Sequence, residues 1–97
     1  MTKTELKRQQ TKAIIEMLEN EFGAYDFDND AGSYFTFSFK MAGKTFEGQL
    51  MRNDFYVLLN DSIKLGDGFE AERYEKRERA LMVEKLMNKE INKLINQ

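Results

Sequence analysis

An acidic string, Asp26, Asp28 and Asp30, is the stretch whose spacing comes nearest to that of a metal site. Alternating carboxylates bind calcium in helix–loop–helix sites, but those loops need glycine at their sixth position and glutamate at their twelfth. Counted from Asp26, these positions hold Ala31 and Phe37. A turn, in which Asp and Asn side chains bond to the backbone, explains the string better. We therefore predict no bound metal and no cofactor.

The sequence lacks the side chains on which most catalytic sites depend. It contains no cysteine and no histidine, which removes thiolate nucleophiles, the usual zinc ligands and the side chain best suited to proton transfer near neutral pH. Asp26 and Glu47 could form a carboxylate pair, but both are predicted on a flat sheet face that lacks the burial needed for acid catalysis. The Gly66–Gly68 stretch lacks the remaining glycine of a nucleotide-binding fingerprint. We expect a non-enzymatic protein.

A predicted β-meander positions the remaining candidate residues. From Ser33 to Met41 apolar and polar residues alternate, with Phe35, Phe37 and Phe39 on one side. This alternation indicates a strand with one buried face.

Three turns set the predicted register of the meander. A tip at Ala42-Gly43 aligns two strands so that apolar residues face apolar residues or glycine, in the pairs Phe39–Phe46, Phe37–Gly48 and Phe35–Leu50. A slip of one residue would mix the two faces. A second two-residue turn at Arg52-Asn53 would align the next strand in the pairs Leu50–Phe55, Gly48–Val57 and Phe46–Leu59. A turn over 29–32, with Gly32 left-handed, would bring Tyr25 and Phe27 onto the phenylalanine face.

A helix is predicted on each side of the meander. The first runs from Thr2 to about Phe22, with apolar residues at spacings of three and four, a cap at Thr2 or Thr4, and Gly23 as its end. Its predicted apolar stripe contains Leu6, Gln10, Ala13, Ile14, Met17 and Leu18.

The second helix is predicted from a cap at Asp67, with Glu70 in capping-box position, to about Ile95. Its second half is amphipathic, whereas its first half is highly charged and places Lys76 on the apolar stripe. We therefore expect this helix either to project past the sheet or to break near residue 79. Ile63 and Leu65 are candidates for a short edge strand.

These elements predict a single α+β domain over residues 1–97. Its architecture is a two-layer sandwich of an N-terminal helix, a four-stranded antiparallel meander and a long C-terminal helix, in the order α-β-β-β-β-α. Both helices are expected to cover the face of Phe35, Phe37 and Phe39.

Composition restricts the environment and the partners. The 97 residues are 41% apolar and 33% charged, with 15 basic and 17 acidic residues and a net charge of −2. No general attraction to nucleic acid or membrane follows from that balance. No segment approaches the roughly 20 apolar residues of a membrane span, and the polar N-terminal sequence has no apolar segment of a secretory signal. The expected compartment is the cytoplasm.

The outer face of the predicted sheet is the candidate partner surface. The predicted registers gather Tyr34, Met51 and Tyr56 there and surround them with carboxylates, namely Asp26, Asp28, Glu47 and Asp54. Aromatic residues and methionine are enriched in protein interfaces. The main hypothesis is therefore a protein-binding module whose partner has a basic patch.

Two other hypotheses use the last helix. Its basic strip, Arg73, Lys76, Arg77 and Arg79, could bind nucleic acid, although it is interleaved with glutamates that favour a solvated, ion-paired face. A structural homodimer formed through the same helix is the third hypothesis.

Two resemblances bear on these alternatives. The last three predicted strands with the two helices, α-β-β-β-α, and the glycine-containing loop LGDGF before the last helix resemble the double-stranded-RNA-binding domain, although this chain has an extra strand before those three. Here, however, Asp67, Glu70 and Glu72 open the helix, and their charges repel phosphate. In size, in lysine, asparagine, glutamate and isoleucine content and in its lack of catalytic residues, the chain resembles accessory proteins of low-GC Gram-positive bacteria and their phages. That resemblance implies an inhibitor of a host system, for example a defence nuclease of the CRISPR type.

Overall fold

A computed structural model of the chain describes residues 2–29, 32–62 and 71–96, with the side chains of the last segment described from residue 75. The helices are α1, Lys3–Phe22, and α2, Ala71–Ile95. The strands are β1, Tyr25–Asp28, β2, Tyr34–Met41, β3, Lys44–Met51, and β4, Val57–Leu59, after which Asn60–Ser62 form a 3-10 turn. The four strands form one antiparallel sheet in chain order. The predicted α+β class and the order α-β-β-β-β-α are confirmed.

Both ends of α1 have the predicted caps. The Thr2 hydroxyl oxygen accepts a hydrogen bond from the Glu5 N–H at 3.1 Å, which satisfies one of the unpaired amides of the first turn. At the other end Gly23 is left-handed, with φ 69°, and the Ala24 N–H reaches back to the Leu18 carbonyl at 3.1 Å. Together with the bond from the Gly23 N–H to the Glu19 carbonyl at 3.1 Å, this left-handed residue forms the αL cap, which ends the helix and directs the chain into the sheet.

The central hairpin has the predicted register throughout. Phe39 lies opposite Phe46, Phe37 opposite Gly48, and Phe35 opposite Leu50. At its tip Ala42 has φ 53° and Gly43 has φ 77°. Two left-handed residues in a two-residue loop are the signature of a type I′ turn, whose twist matches that of the flanking strands.

The predicted turn at Arg52-Asn53 is wrong. Leu50 lies opposite Val57 rather than Phe55, and Gly48 lies opposite Leu59. The loop spans residues 52–56, and Phe55 within it adopts a left-handed φ of 51° while only 8% exposed. Burying a phenylalanine is worth about 1.5–3 kcal/mol, which offsets the roughly 1–2 kcal/mol cost of a left-handed residue. Because the shift is even, the inner and outer faces are preserved.

The strand β1 contains a bulge that the sequence analysis did not predict. Tyr25 lies opposite Ser38 whereas Asp28 lies opposite Thr36, and the register shifts between them. Asp26 is left-handed there, with φ 56°. Phe27 does reach the inner face, where its ring stacks on Phe37 at 5.3 Å. The prediction that Tyr25 also faces inward is wrong, because the extra residue of the bulge turns it to the outer face.

The core lies between the sheet and both helices, as predicted. Phe37, Phe39, Phe46, Leu50, Val57 and Leu59 supply its sheet side, and Ile14, Leu18, Ala80, Val83, Met87 and Ile91 supply its helix side. The first half of α1 contributes no fully buried side chain, and Leu6 on its predicted stripe is 46% exposed. Only the second half of α1 is therefore anchored by the core.

The helix α2 is continuous for 25 residues, without the break near residue 79. Lys76, the cation on its apolar stripe, lies with its ammonium 5.1 Å from the centre of the Phe46 ring and 3.5 Å from Asp61 Oδ1. A cation over an aromatic face is stabilised electrostatically, so this lysine extends the packing of the helix. No helix in the described ranges is long and apolar enough to cross a membrane.

Some sequence-based predictions fall outside the described residues. They are the acidic residue Asp30 with Ala31, the edge strand at Ile63 and Leu65, and the cap at Asp67 with Glu70.

We expect Phe37 and Gly48 to be energetically coupled. A Cβ on Gly48 would lie 2.5 Å from Phe37 Cζ and 2.8 Å from Leu59 Cδ2, too close for non-bonded carbon atoms. Phe37→Ala should cost about 3–5 kcal/mol by leaving a cavity, and Gly48→Ala about 1–3 kcal/mol by overpacking. The double variant should cost less than the sum, because the new methyl group occupies part of the cavity. Urea unfolding of the four proteins measures the coupling.

Thr36→Ala is the control for this cycle. Thr36 neighbours Phe37 but is exposed on the outer face, so its truncation should cost less than about 0.5 kcal/mol. Additive costs in the cycle, or a Thr36→Ala cost equal to that of Phe37→Ala, would contradict the packing described here.

A second prediction concerns Ala42, at the tip of the central hairpin. Its positive φ is unfavourable for alanine but is tolerated by asparagine. Ala42→Asn should therefore raise the free energy of unfolding by about 0.5–1 kcal/mol, and Ala42→Val should lower it by about as much or more. Thermal melts of the three proteins give the order. A valine variant as stable as the asparagine variant would rule out the left-handed tip.

Candidate functional site

The outer face of the sheet is the surface that the fold leaves open. Side chains alternate along β2 and β3, so that Phe37 and Phe46 are buried under the helices while Thr36 and Glu47 are exposed on the other side. All the helix residues of the core pack against the inner side. The predicted partner residues therefore lie on a face against which no described helix residue packs.

A row of three large side chains crosses this face. Tyr34 lies opposite Met51 in the register of the central hairpin, as predicted, and both are half-buried. The Met51 N–H donates to the Tyr56 carbonyl at 2.9 Å, and Tyr56 is 37% exposed. The predicted pairing of Leu50 with Phe55 would have put Tyr56 beside Gln49, but in the structure Leu58 lies there instead. The error in the turn thus concealed how closely Tyr34, Met51 and Tyr56 follow one another.

Tyr25 is a residue of this face that the sequence analysis missed. It lies opposite Ser38 and is 38% exposed. Only the bulge brings it to the outer face, and the one sequence signal for that bulge is Asp26, since aspartate tolerates a left-handed backbone better than most residues.

The four predicted carboxylates are all exposed but do not form one cluster. Asp28 lies opposite Thr36 on the outer face. Asp26 and Glu47 line a shallow depression of about 250 Å³ with Thr36, Ser38 and Asn60, and the Asn60 amide donates to Glu47 Oε2 at 3.4 Å. The predicted turn at Arg52-Asn53 would have put Asp54 in a strand beside Met51, but it lies in the loop over 52–56. The carboxylates therefore surround the row of large side chains from two sides.

The β4 edge of the sheet is closed by side chains of α2. The Val57 N–H donates to Asn88 Oδ1 at 2.6 Å, and Asn88 Nδ2 donates back to the Val57 carbonyl at 3.1 Å. One turn earlier in the helix, Glu84 Oε2 accepts from the Leu59 N–H at 3.0 Å and also from the Ser62 hydroxyl. These are the outward-facing groups of an edge strand, which otherwise invite another strand.

The rise per residue of the helix and that of the strand explain why Glu84 and Asn88 can bond to alternate residues of β4. Four helix residues rise about 6.0 Å, and two strand residues rise about 6.4–6.8 Å. Glu84 and Asn88 therefore match Leu59 and Val57. The other edge, β1, is only four residues long and bulged, features that discourage pairing. We therefore expect a partner protein to bind the outer face of the sheet rather than one of its edges.

The basic strip of α2 does not present its described members together. Lys76 is held over Phe46 and against Asp61, and Arg77 lies 3.9 Å from Glu78 with its Nε buried and without a hydrogen-bond partner in the described part of the chain. Arg79 is exposed, and the side chain of Arg73 lies outside the described residues.

No three metal-ligating side chains converge within residues 2–29, 32–62 and 71–96. Comparison of the chain with protein-family models, with curated proteins and with solved structures gave no significant match.

We expect the edge closure to depend on the amide of Asn88. In Asn88→Asp the carboxylate cannot donate to the Val57 carbonyl and repels it, so unfolding should become easier by about 1–3 kcal/mol. Asn92→Asp, one turn along the same helix at an exposed position, makes the same charge change and should cost no more than about 1 kcal/mol. Urea unfolding compares the two. Equal costs would show that charge, rather than the bond to the strand, is responsible.

Proposed function

We propose that this chain is a small, non-enzymatic module of the cytoplasm that binds another protein through the outer face of its sheet. The supporting observation is the row of Tyr34, Met51 and Tyr56 on a face that neither helix covers. The corrected register strengthens the proposal, because it brings Tyr56 next to Met51.

The side chains of this row suit an interface. Tyrosine combines a large apolar ring with a polar group and loses little rotamer freedom on binding. Methionine adapts to irregular surfaces. Leu58 and Tyr25 extend the apolar area along β4 and β1. Because the row is held on paired strands, little ordering free energy is lost when a partner binds.

The charges around the row indicate the chemistry of the partner. Asp26, Asp28, Glu47 and Asp54 are exposed, whereas the strands contribute Lys40 as a base at the far end of the same face. Carboxylates around an apolar centre would steer and orient a basic partner surface.

A basic surface of this kind is typical of proteins that bind nucleic acid. A module that covers such a surface would compete with the nucleic acid and act stoichiometrically, without catalysis. We therefore propose inhibition of a nucleic-acid enzyme, such as a host defence nuclease, as the biological role.

The experiment is affinity capture from a low-GC bacterial lysate, identification of the bound protein, and calorimetric titration of that purified protein. Tyr56→Ala should weaken its binding by about 1–3 kcal/mol, with the thermal melt of the module nearly unchanged. Met82→Ala is the matched control, because Met82 is a large side chain, 67% exposed, on α2. It should leave the affinity unchanged.

Salt and charge variants complete the test. Binding should weaken as salt screens the rim charges beyond about 8–10 Å. If Tyr34→Ala and Tyr56→Ala both bind normally while charge reversal at Arg73, Lys76 and Arg77 abolishes binding, the basic strip is the site and the proposal is wrong. A loss of affinity caused by Met82→Ala would instead favour the homodimer through α2. Light scattering detects such a dimer directly.

A further inference from the structure

A groove on the helix side of the molecule has the opposite charge from the outer face. It runs between α1 and the ends of the central strands and encloses about 850 Å³. One wall is a face of α1 from Lys3 to Glu19, and the other is formed by residues 32–33, 35 and 52–53. Ile15 and Phe35, both half-buried, form an apolar floor.

Five basic side chains line this groove: Lys3, Lys7, Arg8, Lys12 and Arg52. None of them forms an ion pair with any described residue, whereas Lys76, Arg77 and Lys93 each have an acidic partner. The carboxylates on the lining, Glu16 and Glu19, lie at the far end of the α1 face. The positive charge in the basic part of the groove is therefore not balanced by an ion pair within the described residues.

Helix stability does not account for these cations. The N-terminal end of a helix carries a partial positive charge, so that acidic residues stabilise it and basic residues oppose it. In α1 this order is largely reversed, with four basic residues and one acidic residue, Glu5, in 3–12 and three acidic residues in 16–21. A ligand with negative charge supplies the interaction that the fold lacks.

Arg52 is the one cation of the groove that the fold holds in place. Its guanidinium carbon lies 5.1 Å from the centre of the Phe35 ring, and its Nη1 donates to the Gly32 carbonyl at 3.0 Å. A stacked guanidinium is a rigid plane that combines charge with a surface for planar groups. Lysine in this position could supply the charge but not the plane.

We propose that this groove binds a short stretch of single-stranded nucleic acid. The cations from Lys3 to Lys12 extend along about 13.5 Å of helix rather than converging on a point, which suits a chain of phosphates better than a compact anion. Unpaired bases stack on arginine planes and aromatic or apolar side chains. The floor of the groove and Arg52 provide these surfaces, and the carboxylates of Glu16 and Glu19 limit the length of strand accommodated.

An acidic peptide is the competing ligand, since it shares the negative charge. It has no series of planar groups to use Arg52 and Phe35. The proposal is independent of the outer face, which lies in the other layer of the molecule, so either can fail without the other.

The experiment is fluorescence anisotropy with a labelled twelve-residue oligothymidylate at several salt concentrations. The slope of log K against log salt should be about −2 to −3, at roughly 0.7 for each of three or four phosphates. Lys7→Gln with Lys12→Gln should reduce that slope by about 1.4. Lys85→Gln with Lys89→Gln, also exposed and one turn apart but on α2, removes the same charge and should leave binding unchanged.

Arg52→Lys separates stacking from charge. It should weaken binding roughly fivefold or more with the salt slope unchanged, because the charge remains while the plane is lost. The proposal is overturned by absence of binding, by equal losses in the two lysine pairs, or by polyglutamate that competes as well as the oligonucleotide at equal charge.

Discussion

The close approach of Phe37 to Gly48 is the contact on which the sheet layer depends. Across the hairpin the ring occupies the space that any side chain at position 48 would fill. From there a series of aromatic contacts crosses the inner face, with Phe27 stacked on Phe37, Phe37 against Phe39, and Phe39 stacked on Phe46. Such pairs add to the free energy of simple burial. These ring contacts fix the strands relative to one another. The side chains of the outer face stand on the same strands and are therefore held in place as well.

The two layers of the molecule have different surface chemistry because they are covered differently. The helices bury the apolar face and leave their own charged sides to solvent, whereas no described helix residue covers the second face of the sheet. Exposed carboxylates lie on two sides of the row of Tyr34, Met51 and Tyr56, and basic residues are concentrated where α1 extends beyond the core. A net charge of −2 conceals this separation, which is why composition alone indicated no preferred partner.

The central hairpin could be predicted in full because its two faces differ so strongly that only one register keeps the phenylalanines together. The next turn could not, since its length depends on Phe55, whose burial is a tertiary effect that a local pattern does not contain. The same holds for Tyr25, which a single left-handed residue turns to the outer face. The prediction of Tyr34 and Met51 as neighbours was confirmed, as both belong to the predictable hairpin. The groove beside α1 was missed because its walls, Lys7 and Arg52 among them, are distant in sequence.

The closure of β4 by Glu84 and Asn88 has a consequence for the order in which the molecule is made. The helix that covers the edge follows the edge in the chain, so a ribosome completes the sheet before its protection exists. Until α2 has emerged and docked, the amide and carbonyl of Val57 and the amide of Leu59 have no partner from the helix, and a neighbouring nascent chain could supply one. Docking of the last helix therefore protects the nascent protein from pairing with its own copies.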